Sequence, residues 1–154
     1  MHYDFELAGR RVRLWQRPGE GYAHVLMKAL GFAMFVGEYP ELEIERRVGL
    51  RYKPDLVAET NGGARRFAFW GECGLVSVRK VAWLLKHGSV ERLVLFKTGF
   101  NVAPLAFELR GAIDERYRPP GRLSVVNFSA DIAALAADRR VGRVPPRWYT
   151  TTVV

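Results

Sequence analysis

What the chain lacks narrows it first. It has one cysteine, Cys73, in 154 residues. A lone thiol closes no internal disulfide and builds no structural zinc site, so a reducing interior suits it and a cytoplasmic location is expected. No apolar run is long enough to span a bilayer, and Met1-His2-Tyr3-Asp4 lacks the layout of a signal peptide, so no membrane partner is expected. No repeat, low-complexity stretch or composition break divides the chain, and the length suits a single domain over residues 1–154. Acid is also in short supply: 16 Asp and Glu stand against 24 Lys and Arg, a formal net charge of +8. A basic surface concentrates polyanions, so DNA or RNA is the expected partner, and a protein partner that would need a negative surface is not.

What is present reads as alternating strands and helices. Tyr3–Ala8 and Arg11–Gln16 form a hairpin about Gly9-Arg10. Arg17-Pro18-Gly19-Glu20 breaks the pattern and opens a helix from Tyr22 to Val36, apolar on most faces and therefore laid on a sheet, ended by Gly37. His24 and Lys28 are its polar interruptions, and His24 reads as a satisfied core histidine. A wet edge strand is expected over Leu42–Leu50, then strands from Pro54 to Thr60 and from Phe67 to Glu72, joined by a loop at Asn61–Arg66. Ser77 caps a helix over Val78–His87, and Arg92–Lys97 is a buried strand parallel to the Phe67 strand across a right-handed crossover. Pro104 opens a third helix to Ile113, Arg122–Phe128 is a strand, Ala130–Arg140 a last helix, and the tail around Trp148 is extended. Trp15, Trp70 and Trp83 are expected in the core. The fold class is α/β, a mixed sheet with helices on both faces.

The chemistry gathers at Pro54-Asp55-Leu56 and Trp70-Gly71-Glu72-Cys73-Gly74. In an antiparallel pair, opposed residues have a constant index sum. A two-residue turn at Asn61-Gly62 sets Asp55 against Ala68 and leaves Glu72 roughly 13 Å away. A loop of about six residues sets Asp55 against Glu72, roughly 5 Å apart at Cβ and on one face. Only the longer loop makes the two acids a pair, and it is the expected one. Two carboxylates and a nearby amine, Lys80, suit a divalent cation held by hard oxygens.

These residues resemble the PD-(D/E)XK nuclease superfamily, with its restriction-endonuclease-like fold, and within it the YaeQ-like proteins. The similarity rests on Pro18-Gly19-Glu20, Phe32-Ala33-Met34-Phe35, Pro54-Asp55-Leu56, Trp70-Gly71-Glu72-Cys73-Gly74 and Arg79-Lys80, spread over residues 17 to 97. The resemblance implies a nuclease in which Asp55, Glu72 and the Cys73 carbonyl hold Mg²⁺ or Mn²⁺. Glu20 would be the acid supplied from the first helix. It places a lysine two residues after the second acid, where this chain has Gly74; Lys80 on the following helix is the amine that would replace it. It also allows a homodimer, since many such nucleases pair to cut both strands. A plainer reading stands beside each role. Glu72–Lys80 is then a structural ion pair, Asp55 a cap on turn amides, Glu20 a helix-dipole partner, and the Cys73 thiol a buried filler. Loss of the lysine at Gly74 also leaves open a nuclease fold that binds nucleic acid or a protein without cutting.

Overall fold

The computed structural model describes residues 1–60 and 64–154. Strands β1 (His2–Leu7) and β2 (Arg10–Trp15) form the opening hairpin. Ala8 and Gly9 both take positive φ (49° and 78°), the two-residue geometry that matches strand twist, so the turn sits one residue earlier than expected. Helix α1 (Tyr22–Phe35) follows. Then come β3 (Glu43–Ile44), β4 (Leu56–Glu59), β5 (Phe67–Cys73), α2 (Val78–His87), β6 (Leu93–Thr98) and α3 (Val102–Ala112). The chain finishes with β7 (Leu123–Phe128), α4 (Ile132–Leu135), β8 (Arg140–Val141), a 3₁₀ turn at Pro146–Trp148 and β9 (Tyr149–Val153).

Among the described residues the strands make two sheets. One is three-stranded, in the order β2-β1-β8; the other is six-stranded, in the order β3-β4-β5-β6-β7-β9. The larger is mixed: β5, β6 and β7 run parallel and the flanking strands antiparallel. Two apolar layers cover its faces. Leu56, Phe69, Phe96 and Val126 pack with α1 and the small sheet, while Val57, Trp70, Leu95 and Val125 pack with α2 and α3. No helix among the described residues is long and apolar enough to cross a membrane.

The β4–β5 pairing sets the acids. Leu56 faces Gly71, Val57 faces Trp70 and Ala58 faces Phe69, and the Asp55 amide donates to the Gly71 carbonyl at 3.1 Å. Asp55 therefore stands at the register position of Glu72, as the longer loop requires. The route differs in detail, because a bulge lies between Ala58 and Glu59, after which Glu59 faces Phe67. The extra residue reverses which side of β5 each residue takes, so Phe67 and Phe69, two apart, enter opposite apolar layers. Asn61, Gly62 and Gly63, at the tip of that connection, lie outside the described residues.

Other expectations are corrected. The strand over Leu42–Leu50 shrinks to β3, because Glu45 turns to φ 57° and carries its carboxylate to Lys28. The long final helix shrinks to α4: only Ile132 and Ala136 of that stretch bury an apolar side chain, and Arg139 turns at φ 56° to deliver β8 to β1. The tail is not simply extended but ends as β9, an edge strand on β7. Trp15 is exposed (57 %) and lies against His2 with ring centroids 4.9 Å apart.

Helix α1 approaches the sheet where two glycines face each other. A Cβ on Gly31 would lie 2.8 Å from Leu56 Cδ1, and one on Gly71 would lie 3.0 Å from Leu56 Cβ and 3.0 Å from the Phe96 ring. Gly71→Ala should therefore cost about 1–3 kcal/mol by overpacking, lowering the melting temperature by several degrees. A thermal melt that leaves Gly71→Ala at the native midpoint would show that this contact does not set the helix–sheet spacing.

Candidate functional site

Asp55 sits at the mouth of β4, and its carboxylate reaches over the end of β5. Oδ2 accepts the Cys73 amide at 2.8 Å and lies 3.7 Å from His24 Nε2. The same His24 Nε2 is 3.0 Å from the Cys73 carbonyl, and its Nδ1 contacts Glu20. Asp55, the Cys73 carbonyl and Glu20 therefore converge around one imidazole. His24 is one turn into α1, and Glu20 lies just before the helix, so a helical spacing of four brings them together. Beside this group opens a cavity of about 490 Å³, lined in part by Arg17, Glu20, Glu45, Lys53 and Asp55.

Lys28 anchors the group from beneath. It is wholly buried, and its ammonium binds Glu20 at 2.6 Å and Glu45 at 2.8 Å. Burial works against its charge, but the two carboxylates outweigh it and raise its pKa. Burial likewise pushes Glu20 up, yet the Arg17 amide, Lys28 and His24 prevail and hold it at about 2. The Asp55 carboxylate, against desolvation and with help from Glu20, raises His24 to about 9. Both His24 nitrogens are satisfied, as expected, but their partners are carboxylates and a carbonyl that favour its protonated form.

Glu72 projects toward α2. It is 5 % exposed, and its Oε1 receives the Trp70 indole N–H at 2.8 Å and the Lys80 ammonium at 2.9 Å. Burial raises its pKa, opposed by Trp70 and Lys80. Lys80 arrives because Ser77 caps α2, its hydroxyl accepting the Lys80 amide at 3.1 Å. The two acids keep neighbouring strand positions but separate partners: Asp55 turns to His24 and Glu72 to Lys80. Each leaves one oxygen, Asp55 Oδ1 and Glu72 Oε2, without a hydrogen-bond partner among the described residues. Both Glu20 oxygens are engaged. The Cys73 thiol is buried, which pushes its pKa well up. Among the described residues no group of three or more His, Cys, Asp or Glu side chains is arranged to hold a metal ion.

Gly74 holds φ 78°, and a Cβ there would come within 3.3 Å of His24 Cδ2. A side chain at position 74 would thus be strained by the backbone and would press on His24. Lys97 on β6 donates to the Gly74 carbonyl; it is 5 % exposed, and burial lowers its pKa. Sequence reasoning missed His24 and Lys97. The signal was their polarity within otherwise apolar elements.

The charged group should leave a pH signature. The His24 pKa of about 9 exceeds its ordinary 6.5, so its stabilisation is complete below about pH 6.5 and is lost as pH rises through about 9. The Glu20 pKa is depressed from 4.5 to about 2, so its share is present above about 4.5 and is lost as pH falls toward 2. Urea titrations should show stability falling by on the order of 2–3 kcal/mol from pH 6.5 to above 9, and His24→Gln should remove that fall. A native profile that stays level across this window would contradict the assignment.

No family model matches the chain, and no curated protein matches it in sequence. Solved structures do. The YaeQ protein of Xanthomonas axonopodis pv. citri superposes with a TM-score of 0.62 at 18 % identity, over 99 % of this chain and 93 % of that one. The YaeQ protein of Pseudomonas syringae gives 0.62 at 18 % identity, over 97 % and 91 %. At this identity the likeness is one of fold: the chain has a YaeQ-like α/β fold.

Proposed function

We propose that the chain carries the restriction-endonuclease-like arrangement of the PD-(D/E)XK superfamily and acts as a Mg²⁺- or Mn²⁺-dependent nuclease on DNA or RNA. The observation that carries this reading is the β4–β5 register. It brings Asp55 to the position opposite Glu72, with the Lys80 ammonium 2.9 Å from Glu72, and Asp55 lines a cavity large enough for a nucleotide. The donor chemistry fits: a carboxylate and a carbonyl are hard oxygen ligands, and Mg²⁺ takes one or two carboxylates and keeps several waters. Asp55 Oδ1 and the Cys73 carbonyl would hold the ion, and Glu72, which faces α2 in this structure, would join them only by swinging its free Oε2 toward the strand end. A divalent ion there would lower the pKa of a bound water and neutralise charge building on the phosphate.

The chain's own groups have definable tasks. The Cys73 amide fixes the Asp55 carboxylate by holding Oδ2, which leaves Oδ1 to the ligand. Glu20 and Lys28 fix the His24 ring. Lys80 opposes the upward push of burial on Glu72 without cancelling it, and its ammonium would serve the side where phosphate charge grows. A second reading, a nuclease fold that binds nucleic acid or a protein without cutting, is favoured by one observation. The His24 ring already occupies these oxygens, its Nε2 lying 3.0 Å from the Cys73 carbonyl and 3.7 Å from Asp55 Oδ2.

Calorimetric titration with Mn²⁺ should give measurable binding that Asp55→Ala abolishes. Cleavage of a labelled polynucleotide should fall about 10²-fold or more in Asp55→Asn and in Lys80→Met. Equal metal affinity in the native protein and Asp55→Ala would remove the site. Metal-independent polynucleotide binding without cleavage under any divalent ion would select the second reading.

A further inference from the structure

Residues 73–90, spanning the β5–α2 turn and all of α2, contain no Asp or Glu, and neither do residues 46–54. They touch. Tyr52 meets Trp83 of α2 edge to face at 5.4 Å between centroids, and Lys80 and Arg51 lie over the Tyr52 ring at 5.0 and 5.6 Å. The two segments are therefore one continuous surface, on which Arg47, Arg51, Arg79 and Lys86 are exposed. The carboxylate that reaches it, Glu72, is buried and already bound by Lys80.

Several cations elsewhere have partners: Arg13 pairs with Asp4, Arg65 with Glu59, Arg92 with Glu38 and Arg140 with Glu6. Among the described residues Arg47, Arg51, Lys53, Arg79 and Lys86 form no ion pair, so the charge of this strip is uncompensated where it adjoins the cavity. Such a strip raises the local concentration of a polyanion. The α2 N-terminus adds the positive end of its dipole. At its other end the strip reaches Lys53, which lines the cavity beside Asp55.

We propose that this strip is the docking track for the phosphate backbone of a single-stranded polynucleotide whose chain runs past Lys53 into the cavity. The inference rests on the nuclease reading only for the identity of the polyanion. Helix α2 has 10 residues and is about 15 Å long, enough for on the order of four nucleotides. The half-buried Tyr52 and Trp83 sit among the cations, the mixture that single-strand tracks use for backbone and base together. The cavity of about 490 Å³ has the size of a small-molecule pocket, which admits a nucleotide unit and not a duplex.

The test is fluorescence anisotropy of a labelled oligothymidylate in EDTA across a KCl series. The double variant R51Q/R79Q should lose about tenfold in affinity, and its log–log salt slope should flatten by about 1.4, two phosphate contacts at about 0.7 each. The control R11Q/R143Q, which removes the same charge elsewhere on the surface, should change neither. Equal losses in the two doubles would reduce the effect to net charge and overturn the track, as would no loss in R51Q/R79Q. Phosphatidylserine vesicles that bind the protein more tightly than the oligonucleotide, through Arg51 and Arg79, would reassign the strip to a membrane. Hydrolysis of a small diester, bis(p-nitrophenyl) phosphate, separates the two readings, because it needs the metal site and not the strip. If R51Q/R79Q loses oligonucleotide binding while the native protein cleaves no diester, the track stands and the nuclease reading falls. Diester cleavage with unchanged oligonucleotide binding in R51Q/R79Q gives the reverse.

Discussion

One buried ammonium organises the site. Lys28 has no water to solvate it, so two carboxylates must come to it, and they come from different parts of the chain: Glu20 from the segment before α1 and Glu45 from the turn after β3. Meeting both fixes the loop at 17–21 and ends the edge strand early. With Glu20 held, His24 is held; with His24 held, the Asp55 carboxylate and the Cys73 carbonyl have a common neighbour. Removing one member of such a buried group strands the others, at a cost of about 3–5 kcal/mol. The charges above Lys28 thus behave as one unit and not as independent contacts.

The second constraint is the strand pairing that brings β4 and β5 into step. It makes Asp55 and Glu72 neighbours, but the pleat, the helices on either face and the local partners divide them. Glu72 is drawn toward α2 by Trp70 and Lys80; Asp55 curls over the strand end toward α1. The acid pair straddles the end of the sheet and does not point into a single pit. Each acid has one oxygen held by the protein and one with no hydrogen-bond partner among the described residues.

Much of this was legible in the sequence. The index-sum argument gave the Asp55–Glu72 register, Ser77 gave the start of α2, and the crossover rule gave the parallel β5–β6 pair, because each depends on local spacing or chain handedness. The errors share a cause. The alanine-rich stretch after Ser129 has helix propensity but little to bury, so tertiary pairing with β1 took its end. Trp15 has the type of a core residue but the parity of a solvent face. The polar setting of His24 was not visible locally, because its apolar neighbours in sequence are not its neighbours in space: Glu20 is a turn away, while Asp55 and Cys73 come from strand ends on the face that α1 covers. The bulge at Ala58/Glu59 had no local signature.

Gly74 limits where charge can enter this turn. Its left-handed backbone strains any side chain, and a Cβ there would press on the His24 ring. While the turn keeps this shape, the ammonium groups beside it come from neighbouring elements: Lys97 of β6 binds the Gly74 carbonyl, and Lys80 of α2 binds Glu72.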